Sequence, residues 1–400
     1  MARNLPALSD LPRQRGLPDM LAFLDGGPVR TAGDWPSKRA ELADLVQHYE
    51  YGYLPAPVPV ESTVRFADPT ALDGTATVTE LDLRIGDAPS PVRVLLALPN
   101  DGSGPFPTFV GPNFDGNHTI LDDDRIAVPD LLPDYTNGAR GEFASKWPLA
   151  QIVGAGYAVA TFYGGDLDLD DPDIRDAGIR PYVDTLPAEG DVPPGSLAVW
   201  AWGLQRVVDA LANDERLDPD RFTAVGHSRF GKVAILAAAT DERIAAVIAH
   251  QAGAGGTSPA RSSNDGAEPL SHLAKSFPHW FTPTFATAAA DPTRLPYDHH
   301  AMLGLMAPRP VLLSNAAEDA WADAAGQLEL RRAAEPAYDL LGASDWHGQK
   351  DRLPAPGEFL DGRVSLFMRS GKHAQTPEDW TAFLTFADRY VPSTEAAAVD

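Results

Sequence analysis

The 400-residue chain contains no cysteine. It therefore has no disulfide, no thiolate nucleophile and no cysteine-held metal, and any covalent catalysis must use another side chain. Positive charge is scarce: 32 Lys and Arg stand against 56 Asp and Glu, a formal net charge of −24. A field of that sign repels nucleic acid and anionic membrane surfaces as principal partners. Long apolar runs are also missing, since no stretch approaches the ~20 residues of a membrane-spanning helix. The opening Met-Ala-Arg-Asn-Leu-Pro lacks the apolar run of a signal peptide. The expectation is a cytoplasmic protein, or a secreted or periplasmic one whose leader has been removed.

Hydrophobic residues make up 44 % of the chain, enough for a large core. The 34 Gly and 37 Pro are spread along its length, which suggests many loops on one scaffold rather than a linker between two units. Residues 1–400 are read as one domain with a helical and strand extension at about 1–60 and a frayed Ala-rich tail at 395–400. Residues 35–52 have the apolar stripe of an amphipathic helix, and 62–66 and 76–84 alternate as half-buried strands do. Val92 to Leu98 is a denser apolar run.

From residue 107 onward short apolar runs (107–110, 157–162, 222–225, 245–249, 311–314 and 364–368) alternate with helical patterns at 196–213, 229–239, 326–334 and 378–390. Runs apolar on both faces are buried parallel strands. The last helix opens Thr376-Pro377-Glu378-Asp379, with a hydroxyl at the N-cap, proline at the first helical position and acids in the first turn. An antiparallel beginning followed by βα units is an α/β fold of the α/β-hydrolase layout, a three-layer sandwich with a mostly parallel central sheet and long loops.

The sharpest local signal is Gly226-His227-Ser228-Arg229-Phe230-Gly231-Lys232 between an apolar strand and a helix. A strand–turn–helix carrying Ser in its turn is the context of a nucleophile elbow, although the spacing here is G-x-S-x-x-G rather than G-x-S-x-G. The turn lifts the hydroxyl above the sheet and aims the first helix amides at a developing oxyanion. Arg229 and Lys232 are cations at a helix N-terminus, where the dipole opposes them, so a basic pocket that receives oxyanions or carbohydrate oxygens explains them better than a surface patch. The chain order of this fold puts the acid next and the histidine last. His373 follows the last strand and is the expected base; His347 reads as a surface-loop residue and His250 as structural. The acid comes from Glu318, Asp319 or Asp323 after the strand at 311–314, with Asp319 chosen and Glu318 the alternative. His118, His272, His279 and the pair His299–His300 lack metal-ligand spacing, so no metal is expected; no organic cofactor is implied either.

Taken with His48-Tyr-Glu-Tyr-Gly52, Gly111-Pro-Asn-Phe-Asp-Gly-Asn117, Ser276-Phe-Pro-His-Trp-Phe281, Glu318-Asp-Ala-Trp-Ala-Asp323 and Gly371-Lys-His373, this elbow resembles the glucuronoyl esterases of carbohydrate esterase family 15, above all their bacterial branch. The resemblance implies a serine esterase that cleaves esters of (4-O-methyl-)glucuronic acid, as in lignin–glucuronoxylan cross-links. It implies Ser228 as nucleophile, His373 as base and Arg229 as a side-chain oxyanion donor. Lys232, Glu268 and Trp321 would bind the uronic acid ring of a small-molecule or oligosaccharide ester. One departure stands out. Many members carry the triad acid just after the strand that follows the elbow helix, and here that position is Gln251. Asp319 then supplies the charge, or the site is impaired. Two other readings remain open: an acetyl xylan esterase or general carboxylesterase, and a catalytically impaired carbohydrate-binding homologue.

Overall fold

Alternation of side chains along six short apolar strands dictates the centre of the molecule. In the computed structural model, which describes residues 5–132, 138–262, 264–345 and 352–391, these are β4 (Phe106–Asn113), β5 (Ala158–Tyr163), β6 (Leu217–His227), β7 (Ile244–His250), β8 (Val311–Ala316) and β10 (Val364–Arg369). They run parallel in the spatial order β5-β4-β6-β7-β8-β10. Three antiparallel strands extend the β5 edge: β1 (Val60–Ala71), β2 (Ala76–Ile85) and β3 (Val92–Pro99). The short β9 (Phe359–Leu360) closes the other edge.

Because successive residues face opposite sides of a strand, each strand feeds two cores. Ala224, Val247 and Leu313 belong to one, packed under the helices Ser196–Leu211, Arg229–Thr240, His300–Met306 and Ala324–Leu340. Val225, Ile248 and Leu312 belong to the other, covered by Leu149–Gly154 and Pro377–Tyr390. The result is the three-layer α/β-hydrolase arrangement.

Two helices differ from their sequence reading. The first is α-helical only over Trp35–Val46 and then widens into a π-turn, Gln47–Tyr51. The helix read at 326–334 runs from Ala324 to Leu340, past Pro336. Tertiary packing overrides the proline: Ala337 and Tyr338 are buried, and the Tyr338 hydroxyl donates to the carbonyls of Leu303 and Arg309 at 3.3 and 3.0 Å. The last helix begins as its sequence implies, with a reciprocal capping box between Thr376 and Asp379. The tail at 395–400 lies outside the described residues.

The π-turn turns Glu50 inward. Its carboxylate accepts from His299 Nε2 at 3.0 and 3.1 Å and from the Tyr297 hydroxyl at 2.8 Å. His299 Nδ1 meets the Ser258 carbonyl at 2.5 Å, so both ring nitrogens face acceptors and the ring is held as imidazolium. Burial alone would push this histidine down, but the Glu50 carboxylate outweighs it and raises it to about 9. Tyr51 adds a bond from its hydroxyl to the Gly255 carbonyl at 3.0 Å. The N-terminal segment is thereby tied to residues 253–258, which form a loop behind the elbow helix.

A histidine raised from about 6.5 to about 9 stabilises the fold fully below pH 6.5, and that contribution fades as pH rises through 9. The shift corresponds to roughly 3 kcal/mol. We expect Glu50→Gln to lose about 3–5 kcal/mol near neutrality and to flatten the decline between pH 6.5 and 9, read by denaturant melts at several pH values. An unchanged pH slope in Glu50→Gln would show that this pair does not set it.

Candidate active site

The elbow is a matter of close approach. Ser228 has φ +57° and ψ −125°, a strained conformation for a residue with a side chain. The surroundings over-determine it: Ser228 N–H donates to the His250 carbonyl at 2.9 Å, and the Ser228 carbonyl accepts from Gly231 N–H at 2.9 Å. A Cβ on Gly226 would run into the Phe230 carbonyl, and one on Gly231 would press on Ala252 Cβ and the His250 carbonyl. The second glycine thus lets the helix cross the end of β7, which accounts for the G-x-S-x-x-G spacing.

Histidine and acid come from the next strand ends. The loops after β8 and β10 are joined by backbone bonds, Ala317 N–H to the Arg369 carbonyl and Glu318 N–H to the Gly371 carbonyl, both 2.9 Å. Within that frame His373 Nδ1 lies 2.7 Å from Asp319 Oδ2. Asp319 is buried, while Glu318 is exposed. Arg369 braces the histidine loop from beneath, with bonds to Asp379 and to the carbonyls of Lys372 and Ala374. His347 lies outside the described residues.

Gln251, the departure noted in the sequence, has φ +50° and is buried. Its Oε1 accepts from Ala374 N–H at 3.1 Å, beside His373, and its Nε2 has no hydrogen-bond partner among the described residues. His250 bridges the Ser314 hydroxyl and the Ala374 carbonyl. Between it and His373 lies the ring of His227, 5.0 and 4.6 Å away centroid to centroid. Burial, and then the neighbouring histidines, hold His227 well below the ordinary range, so it is neutral.

Two cavities meet at Ser228, Arg229 and His373. One is lined further by Lys232, Glu268, Trp321, Gln251 and Asp319, with a volume of about 380 Å³, inside the range of small-molecule sites. The other carries Phe114, Phe143 and Trp147 and a Lys146–Asp115 pair at 2.7 Å. Lys232 is buried and donates to the Ala252 carbonyl. Burial pushes its ammonium down to about 8 against the pull of Glu268. Glu268 accepts from His272 at 2.8 Å, and Trp321, 54 % exposed, offers an open ring face.

The expectation of a basic pocket is corrected here. Glu268 acts electrostatically on Lys232, and Arg229 is ion-paired with Asp170. The cavity is therefore a balanced set of charges, not a cationic patch. Asp170 drew no attention in the sequence because its partners come from elsewhere in the chain: it also accepts from His279 Nε2 at 2.8 Å and Trp280 Nε1 at 2.6 Å. The other histidines considered for metal binding have separate partners: His118 the Gly138 carbonyl, His272 Glu268 and the Ser276 hydroxyl, His279 Asp170, His299 Glu50 and the Ser258 carbonyl, and His300 the Pro18 carbonyl.

Comparison with known proteins points the same way. Residues 188–342 match the family model described as glucuronyl esterase of fungi. A curated prokaryotic relative, carbohydrate esterase MZ0003 from an unknown prokaryotic organism, is 34 % identical over 399 residues, spanning 94 % of this chain and 89 % of its own. The 4-O-methyl-glucuronoyl methylesterase 1 of Wolfiporia cocos is 28 % identical over 346 residues, spanning 83 % and 74 %. Among solved structures, the glucuronoyl esterase from Solibacter usitatus superposes with a TM-score of 0.86 at 31 % identity, over 95 % of this chain and 99 % of that one. Matches of this identity and extent include both the sheet and the elbow, and on them the chain belongs to the glucuronoyl esterases of carbohydrate esterase family 15 and is a carboxylic ester hydrolase.

Proposed function

We propose that the protein hydrolyses esters of glucuronic acid or its 4-O-methyl ether through Ser228, His373 and Asp319. The observation that carries this reading is the 2.7 Å bond between His373 Nδ1 and Asp319 Oδ2 at the edge of a cavity that Ser228, Lys232, Glu268 and Trp321 also line. Asp319 fixes the Nδ1–H tautomer, which leaves Nε2 to take the Ser228 proton. Ser228 Oγ bonds to the ester carbonyl carbon, and the displaced electron pair becomes an oxyanion. The Arg229 backbone N–H, at the start of the helix, and its guanidinium stabilise that charge. As the carbonyl re-forms, the bond to the alcohol oxygen breaks and the alcohol departs with the proton from His373. Water, deprotonated by His373, then attacks the acyl-enzyme; the uronic acid leaves and Ser228 recovers its proton.

Lys232 and Glu268 offer a donor and an acceptor to ring hydroxyls, and Trp321 a face for the ring. Charged and polar groups side by side suit a hydroxylated acyl group better than an acetyl or alkyl one. This favours the uronate over the acetyl and general carboxylesterase readings. The impaired reading arose from Gln251, and the carboxylate bonded to His373 weighs against it. Gln251 has a different task, to anchor Ala374. The Wolfiporia cocos relative, a 4-O-methyl-glucuronoyl methylesterase by name, supports the same acyl group. The natural substrate we propose is such an ester in the cross-links between lignin and glucuronoxylan.

Three outcomes follow for hydrolysis of methyl and benzyl glucuronate. Ser228→Ala abolishes turnover, and Arg229→Ala lowers kcat by roughly 10²–10³; wild-type rates in Ser228→Ala would refute the mechanism. Asp319→Asn lowers kcat by about 10⁴, whereas Glu318→Gln stays within about twofold; equal activity of Asp319→Asn and wild type would remove Asp319 from the triad. Lys232 binds as an ammonium below pH 8 and loses that charge above it. KM for a glucuronate ester therefore rises between pH 7 and 9 in the wild type, and a flat KM over that interval would contradict the role given to Lys232.

A further inference from the structure

The guanidinium of Arg229 is held on three sides by segments far apart in the chain. Its centre lies 5.1 Å from the Phe114 ring and 5.5 Å from the Trp280 ring, both within cation–π range. Along its edge it is ion-paired with Asp170, which follows β5. Asp170 is fixed in turn: Trp280 Nε1 donates to its Oδ1 at 2.6 Å and His279 Nε2 at 2.8 Å. His279 Nε2–H is thus a directional donor to that carboxylate. Trp280 thus does two things at once: its face confines Arg229, and its N–H orients the carboxylate that pairs with Arg229. The Phe277 ring stacks on Trp280 at 4.0 Å and keeps that ring in place.

A long arginine loses much rotamer freedom when it must meet a transient charge at one point. If it is ordered before substrate arrives, that loss is not added to the barrier of the chemical step. We propose that Asp170 is a positioning residue of the esterase, which pre-orders the Arg229 guanidinium so that it meets the oxyanion formed at Ser228. It touches neither substrate nor the reacting atoms and acts only through Arg229. The proposal rests on the reading of Arg229 as an oxyanion donor.

The test is a double-mutant cycle on the full-length protein with methyl glucuronate as substrate. Asp170→Asn keeps an oxygen acceptor for Trp280 and His279 and removes the charge paired with Arg229. It is expected to lower kcat about tenfold or more, with KM changed by less than about threefold. In the Arg229→Ala background the same substitution is expected to change kcat by less than about twofold, because the group it acts through is gone. A general structural role would lower kcat by the same factor in both backgrounds, and that additivity would overturn the proposal. So would wild-type kcat in Asp170→Asn. An Arg229→Ala variant as active as wild type would overturn the underlying reading and this proposal together, which separates the two failures. Thermal melting of each variant checks folding. If Asp170→Asn does not fold, Trp280→Phe removes the N–H and keeps the ring, and the same non-additivity with Arg229→Ala is required of it.

Discussion

The structure turns on how closely a strand and a helix can be brought together at Ser228. With a Cβ at residue 226 the strand β6 could not pass the Phe230 carbonyl, and with one at residue 231 the helix could not cross the end of β7. Those two contacts force the backbone between them into the strained geometry of Ser228. The strain is sustained by the sheet, since the Ser228 N–H is bonded to the His250 carbonyl of the neighbouring strand. The hydroxyl proposed to react is thus fixed to the end of the buried sheet, while the groups proposed to meet substrate are carried largely on loops around it.

The loops are ordered by polar contacts that cross long stretches of sequence. Arg369, from β10, binds Asp379 of the last helix and two carbonyls of the histidine loop. Glu50 and His299 tie the N-terminal segment to the loop behind Lys232. Asp170 joins the loop after β5 to the His279–Trp280 turn and to Arg229. In a chain with a net charge of −24, acids set one by one against arginine, lysine and histidine give the site a neutral balance. A neutral ester and an anionic product can both pass through it.

Much of this could be read in the residues. Parallel strands buried on both faces announce themselves as apolar runs, and the elbow, the His373 loop and the capping box at Thr376 each lie within a few consecutive residues. What escaped has a physical reason. The helix beyond Pro336 persists because Tyr338 is anchored by residues 303 and 309, and local propensity says nothing of that. Glu318 and Asp319 are neighbours, so composition could not separate them; burial does, since Asp319 is covered and Glu318 exposed. Asp170 stands in an acidic run, Asp166 to Asp173, where nothing local distinguishes it from solvated carboxylates.

Gln251 and Asp319 reach the same histidine loop from different strands, one at the end of β7 and the other after β8. The address after β8 brings a carboxylate to the imidazole, and the one at the end of β7 brings an amide oxygen to the Ala374 N–H. The loop is gripped from two strands, at its ring and at its backbone, so neither contact alone has to fix the position of His373.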